Sequence, residues 1–229
     1  MTNQMIRVSR YFISLLAFSG VWLLAAKAQQ TEPFDEEIRA FKKQDSLSPI
    51  PKGAILFTGS SSIRLWKNLQ ESFSGYQVVN RGFGGSSLPH VIQYANDVIM
   101  PYEPKQIFIY CGENDIASDT VDSKMVTERF KTLFRMIRQK LPGTPIVFIS
   151  IKPSPSRAKY LSVVQQSNQM IKNFLYQQRN AGFVDVYSKM LDTNGKPRPE
   201  LFGEDQLHMN PQGYAIWKEA IQPYLLKSK

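Results

Sequence analysis

The chain alternates between short apolar runs and longer stretches in which apolar residues recur at helical spacing. The runs at 54–58, 76–79, 106–110, 145–151 and 183–187 are apolar in the main, and each reads as a buried strand. Between and after them, 62–73, 89–100, 123–141, 160–181 and 213–226 read as helices. The longest sets Phe130, Leu133, Phe134 and Ile137 on one face, and Pro142-Gly143 stops it. Five buried strands alternating with helices predict an α/β fold. The arrangement expected is a three-layer sandwich, a five-stranded parallel sheet with helices on both faces. Functional groups in such sheets gather at the carboxyl ends of the strands. Gly59-Ser60-Ser61, the glycine loop 80–87 and Gly112-Glu113-Asn114-Asp115 each follow a strand, so all three are expected on one edge. No internal repeat interrupts the pattern.

The first 52 residues read differently. Arg7 and Arg10 precede an uncharged, largely apolar stretch at 11–26, and Ala26-Lys27-Ala28 supplies the small residues of a cleavage site. This layout predicts a secretory signal peptide over 1–28, cleaved after Ala28, with transient membrane contact and a periplasmic or extracellular destination. The apolar stretch is shorter than the roughly 20 residues that a membrane span requires. A leader over 29–52 follows, with a short helix at 34–43 and a Pro/Ser linker at 46–52. The domain proper is expected over 53–229.

Composition narrows the class. With 229 residues, 42% apolar and 21% charged, the chain suits one soluble domain. Loss of Arg7, Arg10 and Lys27 with the signal peptide lowers the net charge from +9 to +6. No Lys/Arg block or zinc-ligand spacing accompanies that charge, so no nucleic-acid partner is expected. Cys111 is the single cysteine, which rules out an internal disulfide. At the end of an apolar run, it reads as a small buried residue.

A serine-based hydrolase needs a base that titrates near neutrality, and there are two histidines. His208 lies in Asp205-Gln206-Leu207-His208, where an acid three residues earlier can orient the imidazole. His90 follows Leu88-Pro89 without a nearby acid and reads as a helix-start residue. Ser61 sits where a strand turns into a helix, which suits an exposed nucleophile and equally a helix cap. The loop Arg81-Gly82-Phe83-Gly84-Gly85-Ser86-Ser87 can present amides to an oxyanion or form a plain tight turn. It lacks a dinucleotide or phosphate-loop fingerprint, which argues against a flavodoxin-like nucleotide or flavin binder. Asn114 can donate to an oxyanion or serve as a turn residue. Trp66 and Phe83 are candidates for lining a sugar or acyl site, whereas Tyr110 reads as core packing.

Taken together and in order, these blocks resemble the SGNH (GDSL-type) hydrolases over most of the chain from Ile55 onward. Gly59-Ser60-Ser61-Ser62 stands at the Gly-Asp-Ser-Leu-like block, and Asn80-Arg81-Gly82-Phe83-Gly84-Gly85 at the second. Gly112-Glu113-Asn114-Asp115 matches Gly-x-Asn-Asp, and 205–208 matches Asp-x-x-His. The resemblance implies a flavodoxin-like SGNH hydrolase fold with a catalytic Ser61, Asp205 and His208. It implies an oxyanion hole of Ser61, Gly85 and Asn114, with no metal or organic cofactor. Two positions depart from the pattern: Ser60 and Ser86 stand where Asp is usual. The expected substrates are small-molecule or glycan esters carrying short acyl groups, O-acetylated carbohydrates among them. A lysophospholipid esterase and a non-catalytic glycan-binding domain are the alternatives.

Overall fold

A computed structural model describes residues 32–227. The expected signal peptide and its cleavage site lie outside these residues. Five strands form one parallel sheet in the order β2-β1-β3-β4-β5. They are β1 (Ile55–Gly59), β2 (Val78–Gly82), β3 (Gln106–Tyr110), β4 (Ile146–Ile149) and β5 (Ala181–Val184). The sheet is buried on both faces, which is why the strands read as continuous apolar runs rather than alternating ones.

One face packs Leu56, Ile107, Ile109, Ile146 and Phe148 against five helices. These are α1 (Asp35–Leu47), α4 (Leu88–Gln93), α5 (Ala95–Val98), α7 (Ser123–Lys140) and α8 (Leu161–Tyr176). On the other face, Ile55, Phe57, Phe108, Val147 and Ile149 meet α2 (Ser61–Arg64), α3 (Leu69–Ser72) and α9 (Pro211–Ile221). The remaining short helix, α6 (Glu113–Ile116), follows β3. The face predicted for the longest helix is the one α7 buries: Phe130, Leu133, Phe134 and Ile137 enter the core together with Val126. Each such side chain contributes about 1.5–3 kcal/mol.

Several boundaries differ from the pattern. The stretch 62–73 divides into α2 and α3, and 89–100 divides into α4 and α5 around Tyr94, whose backbone departs from helical geometry. Strand β2 begins two residues later than the apolar run and continues through Gly82, so Asn80 and Arg81 belong to the sheet. Helix α8 stops at Tyr176, and the left-handed backbone of Asn180 (φ 50°) turns the chain into β5 at Ala181. Helix α1 runs on to Leu47 and buries Ile38 in the core, so part of the predicted linker is helical.

Strand register levels the carboxyl edge of the sheet. Gly59 pairs with Gly82 on one side and Tyr110 on the other, so β1, β2 and β3 end together. Gly59 has φ 125°, and a Cβ there would lie 1.8 Å from the Tyr110 carbonyl oxygen. Only glycine allows the chain to turn at that point into α2.

Candidate active site

The segments after β1, β2 and β3 meet the loop before α9 at this edge. Ser61 is the first residue of α2, and its Oγ lies 3.0 Å from His208 Nε2. On the other side of the ring, His208 Nδ1 is 2.5 Å from Asp205 Oδ2. Asp205 Oδ1 accepts the backbone N–H groups of His208 (2.9 Å) and Leu207 (3.0 Å). The turn that makes this possible places Gln206 at φ 51°. Partial burial works against the Asp205 charge. The Leu207 and His208 amides and the imidazole outweigh it and hold the carboxyl at about 2. This serine–imidazole–carboxylate line can carry a proton off the hydroxyl while the carboxylate steadies the ring.

The loop carrying Asp205 and His208 is tied down at several points. Gly203 N–H donates to the His208 carbonyl (2.8 Å), and both the N–H and the hydroxyl of Ser156 donate to the Gln206 carbonyl. Asn210 caps α9 by accepting from Gln212 and Gly213, and Pro211 opens the helix.

The backbone N–H groups of Ser61 and Gly85, just past the ends of β1 and β2, have no acceptor among the described residues. Gly85 is exposed, with φ 69°. Asn114 Nδ2 donates one hydrogen to the Ser86 carbonyl (3.0 Å). Its Oδ1 accepts from Arg157 Nη2 at 3.0 Å, and Arg157 Nη1 also donates to the Glu113 carbonyl. Beneath them lies a buried cluster. Lys152 Nζ donates to both Glu113 oxygens (2.8 and 2.7 Å) and lies 2.7 Å from Ser154 Oγ, which in turn bonds Glu113. Tyr110 donates to Glu113 at 2.8 Å. Burial works against the Glu113 charge, but Lys152 and Arg157 keep its carboxyl below the ordinary range. Burial lowers Lys152.

The sequence-predicted residues Ser61, Asp205, His208, Gly85 and Asn114 therefore converge on one edge. Ser60, at the usual Asp position, is buried and donates its N–H to the Tyr110 carbonyl. Ser86, the other departure, donates its hydroxyl to the Gly59 carbonyl at 3.1 Å. His90 stays apart from the triad. Its Nδ1 accepts the Ser87 N–H in a capping box at the start of α4. Trp66 and Phe83 are fully buried in the two cores, as Tyr110 is, and Trp66 also borders a cavity beside Met209 and Asn210. Their size and apolarity serve packing, with Trp66 among Phe73, Tyr214 and Trp217. Cys111 is buried, and burial pushes its thiol up. Sequence reasoning missed Arg157, Lys152 and Glu113. Nothing in their local spacing marks a role, and the fold alone brings Lys152 and Arg157 to Glu113 and Asn114.

This fold and site define an ester-hydrolysing α/β enzyme. The chain belongs to the GDSL-like lipase/acylhydrolase family, whose model matches residues 54–216. It is 24% identical over 183 residues to the bovine (Bos taurus) platelet-activating factor acetylhydrolase IB subunit alpha1, covering 76% of this chain and 75% of that one. Among solved structures, a GDSL-like lipase from Bacteroides thetaiotaomicron superposes with a TM-score of 0.69 at 16% identity, covering 82% of this chain and 96% of that one. A Geobacillus acetyl-xylooligosaccharide esterase superposes with a TM-score of 0.61 at 15% identity, covering 76% and 94%.

Proposed function

We propose that the chain is an exported serine esterase that removes short acyl groups, acetyl above all, from carbohydrate or other small esters. The observation that carries this reading is the line Ser61–His208–Asp205, with 3.0 and 2.5 Å between successive side chains. His208 Nε2 takes the Ser61 proton as Oγ attacks the ester carbonyl. The Asp205 carboxylate accepts the Nδ1 hydrogen and stabilises the imidazolium. The tetrahedral oxyanion accepts hydrogen bonds from the Ser61 and Gly85 amides and the free hydrogen of Asn114 Nδ2. His208 returns the proton to the leaving alcohol, and water then cleaves the acyl-enzyme by the same steps in reverse.

The acetyl preference is supported by two relatives whose names carry acetyl groups, the acetylhydrolase and the xylooligosaccharide esterase. The sugar-ester and phospholipid alternatives separate in one experiment. Acetate release is measured from acetylated xylooligosaccharide and from an acetyl phospholipid, with Ser61→Ala as the control. Release from the sugar, abolished in Ser61→Ala, supports the proposal. Release from the lipid alone, or a Ser61→Ala rate equal to wild type, overturns it. Export rests on the layout of residues 1–28, with the mature chain starting at Gln29. N-terminal sequencing of protein recovered outside the cytoplasm tests that start.

A further inference from the structure

We infer that Glu37, on helix α1, is a positioning residue for the loop that carries the Gly85 amide. The inference rests on the oxyanion role proposed for that amide. Glu37 Oε2 accepts the Gly84 N–H at 2.7 Å, one residue before Gly85. Its other oxygen is held by Arg64 Nη1 at 3.1 Å. Arg64 in turn lies so close to Gly84 that a Cβ there would sit 2.9 Å from the guanidinium Cζ and Nε. The glycine turn is therefore gripped on its leading side by Glu37 and Arg64. Its trailing side is fixed by Ser86, whose hydroxyl donates to Gly59 and whose carbonyl accepts from Asn114. Gly85 lies between the two grips.

The support behind Glu37 is rigid. Ile38 is buried in the core next to it. Phe34 packs edge-on against Phe83 of the same loop, with ring centroids 5.3 Å apart. Tyr94 donates to Asp35 at 2.8 Å. The family match begins at residue 54, so α1 lies ahead of it. In this chain a carboxylate from α1 reaches the oxyanion loop, while serines occupy the two positions at which Asp is usual. A hydrogen bond to a charged acceptor is stronger than one to a neutral group, so the Gly84 amide stays in place rather than turning to water. An ion pair as exposed as Glu37–Arg64 contributes little to stability, so the effect on rate and the effect on folding can be told apart.

The test measures p-nitrophenyl acetate hydrolysis and Tm for Glu37→Ala, Glu37→Asp and Glu37→Gln. Gln keeps the reach and the acceptor oxygen but loses the charge, whereas Asp keeps the charge and loses the reach. Glu37→Ala and Glu37→Asp are expected to lower kcat about tenfold with KM within about twofold, because a displaced donor weakens transition-state binding alone. Glu37→Gln is expected to retain kcat within about threefold, since the bond to Gly84 survives. An unchanged kcat in Glu37→Ala overturns the inference. So does a loss confined to KM, or a Glu37→Gln as impaired as Glu37→Ala. Ser61→Ala run beside them separates the two readings. If it hydrolyses at the wild-type rate, the proposed site is wrong. If it is inactive while Glu37→Ala is unimpaired, only the role of Glu37 fails.

Discussion

Arg157 Nη2 bonds Asn114 Oδ1 at 3.0 Å, and this bond decides which way the amide faces. With its oxygen engaged, Asn114 turns its nitrogen toward Ser86 and the open edge, where one hydrogen is left for a ligand. Arg157→Ala should lower kcat about tenfold, the loss of a charged hydrogen bond that orients an oxyanion donor. In an Asn114→Ala background the same change should cost less than about twofold, since the two residues act as one. Single and double variants assayed on p-nitrophenyl acetate check this, and fully additive losses would contradict it.

The carboxylate of Asp205 is held at about 2, below its ordinary 3.8. Its contribution to folding is therefore present above the unfolded value and is lost as pH falls from about 4 toward 2. Above about pH 4, Asp205 stays ionised. Any acid limb of kcat/KM above about pH 4 must then come from another group. Asp205→Asn should lower kcat by about four orders of magnitude, because the ring loses its orientation and charge partner. A pH–rate profile in which an acid limb above about pH 4 persists in Asp205→Asn, measured alongside the rates, meets this expectation. A Asp205→Asn rate within tenfold of wild type defeats it.

Lys152 and Glu113 are both buried, and their pair sits beneath the Asn114 donor. Removing one charge strands the other. Lys152→Met alone should cost about 3–5 kcal/mol of stability. Lys152→Met with Glu113→Gln should cost about half as much, since no lone buried charge remains. Urea unfolding midpoints report both values, and equal losses in the single and double variants would argue against the pairing.

Gly59→Ala puts a methyl group 1.8 Å from the Tyr110 carbonyl oxygen, at a φ that a side chain rarely tolerates. Strand β1 and strand β3 cannot both keep their places. The expected cost exceeds about 4 kcal/mol, and thermal unfolding measures it. A Tm within two degrees of wild type would rule out the close approach.

The sheet was legible because β1, β3 and β4 are buried throughout their length. Residues 107–110 are an uninterrupted apolar run, and the strand predicted over 106–110 becomes β3 with the same limits. The helices were less so. Trp66 and Tyr94 lie in stretches with helical periodicity, yet the chain breaks beside both to bring α2 and α4 to the sheet edge. Such breaks are set by tertiary contacts, such as Tyr214 donating to the Ser62 carbonyl, which no local spacing encodes. Ser61, Gly85, Asn114, Asp205 and His208 were readable because their neighbours form ordered blocks. Glu37 and Arg157 were not. Each acts through a backbone or amide group far away in sequence, and a carboxylate or guanidinium on a helix or loop surface is otherwise indistinguishable from solvated charge.

Asp205 and His208 sit on one four-residue turn, while Ser61 lies 147 positions before His208. The site is thus closed by a single long-range contact rather than two. During synthesis the nucleophile, both amide donors and Asn114 emerge and can fold around β1, β2 and β3 well before the base exists. Hydrolytic power would then arrive in one step, when the segment leading into α9 docks. On the proposed mechanism a nascent chain stays chemically silent until that moment, so the onset of ester cleavage would serve as a clock for the last stage of folding.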